Sequence, residues 1–288
     1  MFFAVLAMGI FATSCGSDDD NGPTTSSLTI DFTGLDELGN GYVYEGWIII
    51  DGAPVSTGVL TSLTFPQTIT METAQIEAAA TFVLSIEPPN DTNPDPAPTK
   101  ILAGDFSGNT ANVSSRGIVG DFSSSTGAYI LATPTDGGGD TNEESGVWFL
   151  DNSSGTAVAG LNLLPILNDG WIYEGWAVIG GVPVSTGTFT SASGFDDNAT
   201  TTPFKGDAGD GPAFPGEDFL QNAPSGMTFP TDLKGATIVI SVEPSPDNSA
   251  GPFTLKPLVH VVPTDAMNHV TIAMGTGLVA ELTGIVTR

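Results

Sequence analysis

Two stretches of the chain carry nearly the same pattern of apolar and polar residues. Residues 41–62 align with residues 170–191, 129 positions later, and 14 of the 22 aligned residues are identical. We call these stretches the first and the second signature. Each opens with an aromatic and β-branched run, YVYEGWIII or WIYEGWAVI, and passes through a glycine-containing turn into a short Thr-rich run. Such runs favour strands, so each signature predicts a β-hairpin.

A second pattern repeats in the same order. TFVLSIEPPND at residues 81–91 matches TIVISVEPSPD at residues 237–247, at an offset of 156. Both predict a strand that proline ends, because proline has no N–H to donate to a ladder. The larger offset places 27 extra residues between the blocks of the second copy, within residues 192–227. Two blocks in one order indicate a duplicated domain, and the period is far too long for a solenoid.

These patterns predict an all-β chain of two tandem antiparallel, immunoglobulin-like β-sandwiches. Helical periodicity is scarce, with one short helix predicted within METAQIEAAA at residues 71–80. A polar, Gly-rich stretch between the repeats suits a flexible linker. The predicted parts are a signal peptide at 1–15, an acidic tether at 16–27, a first repeat at 28–134, a linker at 135–145, and a second repeat at 146–288 with an insertion near 192–227.

Composition and charge narrow the function. Charged residues make up 14% of the chain, whereas Gly (36) and Pro (21) are abundant, as in an extracytoplasmic β-protein with many turns. The net charge is −27, with 33 acidic and six basic residues. Nucleic-acid binding needs clustered Lys and Arg, so we expect none, and docking on an anionic lipid surface is disfavoured for the same reason. Cation binding stays open.

The N-terminal run FFAVLAMGIFATSC ends at Cys15, the chain's single cysteine, so no intramolecular disulfide can form. The apolar part is shorter than the roughly 20 residues that span a bilayer, and it fits a signal peptide better. ATSC resembles a bacterial lipobox, which predicts lipid attachment at Cys15. Ala12 stands where Leu is commoner, and no Lys or Arg precedes the run; an upstream start codon would explain the missing charge. The alternative is an apolar first strand with a buried cysteine.

The repeated blocks resemble the extracytoplasmic C-terminal domain of anti-sigma-K factors, which carries a Tyr-x-x-Trp strand and a Pro-Val-Ser-x-Gly turn. The residues after Cys15, GSDDDNGPTTSS, resemble the acidic tether of surface lipoproteins of Bacteroidetes-like bacteria. The resemblance continues through SIEP and Pro98-Thr99 in the first repeat and weakens after SVEP in the second. The matching signature positions are Tyr44, Trp47, Pro54, Val55, Ser56 and Gly58, and Tyr173, Trp176, Pro183, Val184, Ser185 and Gly187.

The resemblance implies a β-sandwich outside the cytoplasm. It does not carry over anti-sigma activity, because such a factor binds sigma through a cytoplasmic domain joined to a membrane helix, and Cys15 and the tether occupy that end here.

Carboxylates recur at equivalent places in the two repeats: Glu45, Glu87 and Asp91, and again Glu174, Glu243 and Asp247. If the strands are neighbours, three oxygen ligands in each repeat could bind Ca²⁺. The alternative is that Glu45 faces solvent and Asp91 accepts hydrogen bonds in a turn. No Asp-x-Asp-x-Asp-Gly loop supports a calcium site, so no cofactor is predicted beyond this option.

The insertion is the predicted place for a specific ligand, because long loops on a rigid scaffold often bind. Its segment FPGEDF would present Phe214 and Phe219 to a glycan or peptide, flanked by Glu217 and Asp218. The alternative is a loop packed by its own aromatic rings over the sheet edge. Trp47 and Trp176 fit core anchors better than a carbohydrate platform.

Catalytic motifs are missing, so no enzyme is predicted: there is no Gly-x-Ser-x-Gly and no His-Glu-x-x-His, and the two histidines stand apart. We expect a lipid-anchored envelope protein, at the outer membrane and facing the surface or the periplasm, that binds a glycan, a peptide or an envelope protein. One alternative is a periplasmic sensor of an envelope-stress, anti-sigma-type system. Another is a glycan-active enzyme with a carboxylate pair in one cleft.

Overall fold

The computed structural model describes residues 24–39, 41–139, 141–246 and 249–288. These residues form antiparallel strands, one short α-helix, α1 (Thr73–Ala78), and one 3-10 turn (Glu143–Ser145). The predicted all-β class is confirmed, and α1 lies within the stretch where the sequence indicated a helix.

The strands in chain order are β1 (Thr25–Thr33), β2 (Val43–Ile50), β3 (Ala53–Val59), β4 (Gln67–Glu72), β5 (Thr81–Glu87), β6 (Lys100–Ser107), β7 (Thr110–Ser114), β8 (Ala128–Leu131), β9 (Gly146–Trp148), β10 (Leu150–Asp151), β11 (Val158–Ala159), β12 (Trp171–Ile179), β13 (Val182–Phe189), β14 (Gly216–Asp218), β15 (Thr237–Pro244), β16 (Lys256–Val261), β17 (Ile272–Ala273), β18 (Gly275–Val279) and β19 (Thr283–Thr287).

The first sheet has eight strands in the order β3-β2-β5-β6-β7-β19-β1-β4. It curls over on itself, because the rings of Phe32 in β1 and Phe82 in β5 lie 5.9 Å apart although three strands separate β1 from β5. Alternation along β1 sends Leu28 and Ile30 into the enclosed core, and Leu84 of β5, a strand buried along nearly its whole length, is buried there as well. The sheet is therefore barrel-like, and an immunoglobulin-like sandwich remains a prediction.

The second sheet has the order β13-β12-β15-β16-β18, the third has the order β14-β9-β8-β17, and β10 and β11 form a small ribbon. Tyr173 of β12 stacks on Phe189 of β13, with ring centroids 5.6 Å apart. Phe122, between β7 and β8, packs edge-on against Tyr173 at 6.4 Å. One connected cluster of buried apolar side chains runs beneath the first and second sheets, so the two halves share a core.

Two strands lie in sheets whose other strands all belong to the other predicted repeat, and we call them the crossing strands. β19 follows β18 of the second sheet, yet it lies between β7 and β1 of the first sheet. β8 follows β7 of the first sheet, yet it lies between β9 and β17 of the third. The predicted division at residues 135–145 therefore does not separate the strand pairing into two self-contained sets.

The ends of that predicted linker are held by side chains. The carboxylate of Asp218 accepts hydrogen bonds from the backbone N–H and the hydroxyl of Thr135, at 2.8 and 2.5 Å. At the other end, the Ser145 hydroxyl donates to the carbonyl of Phe219 at 2.7 Å. Thr135 and Ser145 are both buried. Each of these hydrogen bonds joins an end of the predicted linker to the insertion that follows in the chain, and the flexible linker stays a prediction.

Both signatures form the predicted hairpin with the same irregularity. The register of β2 against β3 shifts between Gly46 and Trp47, and that of β12 against β13 shifts between Gly175 and Trp176. A Cβ on Gly46 would lie 2.3 Å from the hydroxyl of Thr57, so only glycine fits that bulge. The same sequence thus gives the same local structure twice.

Candidate binding groove at the seam between the sheets

Each signature is tied to the strand beside it by a chain of three side chains. In the first, the Trp47 indole N–H donates to the Ser85 hydroxyl at 2.8 Å, and Ser85 donates to Glu87. In the second, Trp176 donates to Ser241 at 2.8 Å, and Ser241 donates to Glu243. All six side chains are buried. The predicted core role of Trp47 and Trp176 is confirmed.

The two glutamates also hold the loop that follows each strand. Glu87 accepts the backbone N–H of Ala97 at 3.0 Å, and Glu243 accepts that of Phe253 at 2.8 Å, ten residues later in each case. Burial raises the pKa of Glu87 above its ordinary range, although hydrogen bonds from Ser85 and Ala97 oppose the shift. These carboxylates therefore orient the loops that begin at Pro88 and Pro244.

The other carboxylates considered for calcium are used separately. Glu45 accepts a hydrogen bond from Ser56, and Glu174 accepts one from Ser185. Asp91 accepts the backbone N–H of Asn93 at 3.0 Å, as the turn interpretation predicted. Asp247 lies outside the described residues. Across the described part of the chain, no three His, Cys, Asp or Glu side chains are grouped so as to hold a metal ion.

A groove lies where the loop after β5 meets the residues before β12 and after β15, and we call this place the seam. Its inner part is a mainly apolar cavity of about 260 Å³. A larger depression of about 540 Å³ adjoins it and shares Pro98 and Asp169 with it, and we treat the two together as the groove. The main walls of the inner part are Tyr42, Pro88 and Pro98 on one side and Gly170, Pro244 and Pro246 on the other.

Equivalent elements of the two halves build this groove. Pro88 and Pro244 each follow a loop-holding glutamate, and both line the inner cavity. The walls approach closely at Gly170, where a Cβ would lie 2.8 Å from the backbone of Pro98 and Thr99. Gly170 also has φ of +90°, which favours glycine.

Few charges reach the groove. Lys100 and Asp169 line its wider part, and the Lys100 ammonium donates to the Ala97 carbonyl at 3.3 Å. Four stiff proline rings, one tyrosine and Ile86 supply much of the apolar surface of the inner wall. Such a surface favours contact with an extended, partly apolar segment, with Asp169 available to a positive group. Sequence reasoning missed this groove; the only signal was that both Glu-Pro turns recur.

The residues predicted as a ligand-binding loop lie elsewhere, and three of them are interior. Glu217 is 2% exposed, while Asp218 and Phe219 are fully buried. Phe219 packs against the rings of Phe204 and Phe229, and Phe214 packs on the cluster around Trp148. The rings of FPGEDF thus pack against Phe204 within the insertion and against Phe229 and Trp148 outside it, and ligand binding by this loop stays a prediction.

Burial changes the acidity of two carboxyls in this insertion. Removal from water raises the pKa of Glu217 to about 8 and that of Asp196 to about 6, and the Asp218 charge adds to the shift at Glu217. Glu217 accepts hydrogen bonds from Thr202 and from the Asp218 backbone N–H. These groups are protonated more readily than surface carboxyls, and their contacts are internal.

The histidines also have structural partners. The His260 Nδ1 and the Tyr129 hydroxyl are 2.9 Å apart, and the His269 Nε2 lies 3.0 Å from Glu143. Cys15, the predicted lipid-attachment residue, lies outside the described residues.

The comparison with known proteins gives one match. Residues 21–101 match the family described as "Anti-sigma-K factor rskA, C-terminal". That segment is 81 of the 288 residues and contains the first signature, β1 to β5 and the first-half wall of the groove. The resemblance drawn from the motifs is confirmed for this one domain. No curated protein and no solved structure matches the chain.

Within the described ranges, no helix is long and apolar enough to cross a membrane.

Proposed function

We propose that this chain is a lipid-anchored, extracytoplasmic binding module without catalytic activity, and that the seam groove is its binding site. One observation carries the proposal. Equivalent Glu-Pro turns from both halves converge on one apolar groove, while the glutamates beneath them already accept internal hydrogen bonds. Binding fits such a site better than chemistry, because these buried carboxyls are committed to holding loops.

The proposal includes an evolutionary step and an anchor. The second half is a further copy of the domain that residues 21–101 match. Its immunoglobulin-like ancestry accounts for the hairpin and for the Trp-Ser-Glu hydrogen-bond chain that occur in both halves. Lipid on Cys15, followed by the acidic tether, places the module at the outer membrane. The net charge of −27 keeps it away from nucleic acid.

The ligand suited to the groove is an extended peptide segment of an envelope protein. Proline rings and Tyr42 offer flat apolar contacts, and Asp169 favours a basic residue beside the apolar one. A glycan would need more polar groups than the inner cavity presents.

A photo-crosslinking residue in place of Tyr42, in the native cell, tests the site. We expect a discrete crosslinked adduct that is absent when the same residue replaces the exposed Thr64. Equal adducts at both positions, or none at position 42, would contradict a binding role for the seam.

Protease treatment of intact cells tests the location, with lysed cells and a Cys15→Ala strain beside it. Digestion on intact cells supports a surface module, and loss of membrane association in Cys15→Ala supports the anchor. Unchanged membrane association of that variant would contradict the anchor.

A second candidate is a periplasmic sensory component of an anti-sigma-type system, which the family match favours. It predicts protection from protease until lysis and a Tyr42 adduct with a membrane-spanning partner.

A further inference from the structure

We infer that the space between β1 and β7 is a strand-accepting site that can take β19 from a second copy of this chain, so that copies are joined by strand exchange. The inference does not depend on the seam groove or on the lipid anchor. It rests on the position of β19, whose two partner strands among the described residues both belong to the first sheet.

The site is specific for this strand. Five residues of β19 pair with β1 and five with β7, so the strand is hydrogen-bonded on both sides. Leu282 and Val286 are fully buried. Ser115 fixes the entry of the strand, because its hydroxyl accepts the Leu282 N–H at 3.0 Å and its own N–H donates to the Leu282 carbonyl at 3.0 Å.

Arg288 fastens the far end of the strand. Its guanidinium donates to the carbonyls of Ile76 and Ala79 at 2.8 Å each, at the end of α1. It also donates to the Gly108 carbonyl at 3.0 Å and lies 4.5 Å from the centre of the Phe106 ring. Arg288 is one of six basic residues, and all of these contacts are with the first half of the chain. They help the first sheet to select this strand.

Exchange between copies would preserve all of these contacts. The strand is joined to β18 by residues 280–282 alone, and short hinges favour domain swapping. Swapping is a low-cost route to association, since the swapped contacts equal those lost. The advantage of the strand on its own chain is its high effective concentration, which a high protein concentration offsets. The charge of −27 opposes contact between copies, so salt should assist exchange.

Engineered disulfides can report which chain supplies the strand. Ile285 of β19 is opposite Asn112 of β7, and both side chains are exposed. The backbone bonds from Arg288 to Asn109 and from Ser115 to Leu282 make this a non-hydrogen-bonded pair. In such a pair the Cα atoms are about 4.5 Å apart, within disulfide range.

The experiment mixes two full-length proteins in a Cys15→Ser background, one carrying Asn112→Cys and the other Ile285→Cys. They are unfolded together, refolded at high concentration and salt, and oxidised. A matched control replaces Asn112→Cys by Thr68→Cys, which lies on β4, paired to β1 on the side away from β19.

We expect the Asn112→Cys and Ile285→Cys proteins to give about tenfold more mixed disulfide dimer than the control pair, in a yield that rises with protein concentration. An equal yield from the two pairs, or no mixed dimer with Asn112→Cys, would overturn the inference. Refolding that yields only monomers closed in cis gives no mixed dimer and overturns it as well.

Discussion

The outer edges of the two hairpins differ although their sequences are alike. In the second, the backbone N–H of Asp197 donates to the Thr188 carbonyl at 2.8 Å, so the insertion covers the edge of β13. In the first, Val59 holds the position of Thr188 and is 45% exposed. A Cβ on Gly58 would meet nothing, whereas one on Gly187 would meet Asp196 and Asn198. The signature therefore fixes the hairpin, and the insertion decides whether its edge meets solvent.

The insertion also supplies an edge strand. In the first sheet, β4 covers the side of β1 that faces away from β19; in the third sheet, β14 covers the side of β9 that faces away from β8. β4 comes after the segment TFP at residues 64–66, whereas β14 comes before its counterpart at residues 228–230. The insertion thus supplies an edge strand of the third sheet, and its acidic residues Glu217 and Asp218 are interior because they belong to that strand.

The largest expected effect comes from a substitution in β19, the strand from the second half that completes the first sheet. Val286→Asp places a carboxylate in a fully buried position without a partner, and we expect a loss of about 4 kcal/mol in unfolding free energy. Thr283→Asp, on the exposed side of the same strand, is the control, with a loss below about 1 kcal/mol. Urea denaturation measures both; equal losses would mean that β19 does not complete the first core.

The next effect tests whether the insertion is structural. Asp218→Ala leaves the Trp148 indole N–H and both Thr135 donors unpaired, so we expect a loss of about 3 kcal/mol. Asp265→Ala, at an exposed position, should change the unfolding free energy by less than about 0.5 kcal/mol. An unchanged unfolding free energy in Asp218→Ala would contradict the structural role of the insertion and favour a solvent-exposed binding loop.

The chain of Trp, Ser and Glu side chains that recurs in both halves gives a direct test of their equivalence. Ser85→Ala and Ser241→Ala each remove a partner from a buried indole N–H and from a buried glutamate. We therefore expect each substitution to lower the unfolding free energy by about 2 kcal/mol. The two losses should agree within about 0.5 kcal/mol in thermal and urea unfolding. A large loss at only one of them would contradict equivalent roles for the two halves.

The smallest effect is the pH dependence that Glu217 of the insertion contributes. The pKa of Glu217 is raised in the folded state to about 8, so its contribution is fully present below its ordinary value near 4.5 and is lost as pH rises through about 8. Between pH 7 and 8, the unfolding free energy of Glu217→Gln should therefore fall by about 1 kcal/mol less than that of the unsubstituted chain. Exposed Glu37→Gln is the control, and a Glu217→Gln profile parallel to it would contradict the burial argument.

The sequence predicted what is local. The hairpins, the strands ended by Pro88 and Pro244, and the buried Trp47 and Trp176 follow from short patterns whose causes lie within a few residues. The pairing of β19 with β1 could not be predicted, because TGIVT has the same pattern whichever sheet accepts it. The burial of Glu217 and Asp218 could not be predicted either, because it depends on contacts distant in the sequence. Asp218 is stabilised by Trp148 and Thr135, which are 70 and 83 residues away. The seam groove depends on both halves at once.

The crossing of β19 into the first sheet is the central structural claim, and one disulfide tests it directly. A single chain carrying Asn112→Cys and Ile285→Cys, with Cys15→Ser, is oxidised while folded and dilute. We predict a monomer with one internal disulfide, found by mass spectrometry of its proteolytic peptides, that unfolds at a higher temperature than its reduced form. Two free thiols in the folded, oxidised monomer would contradict the crossing.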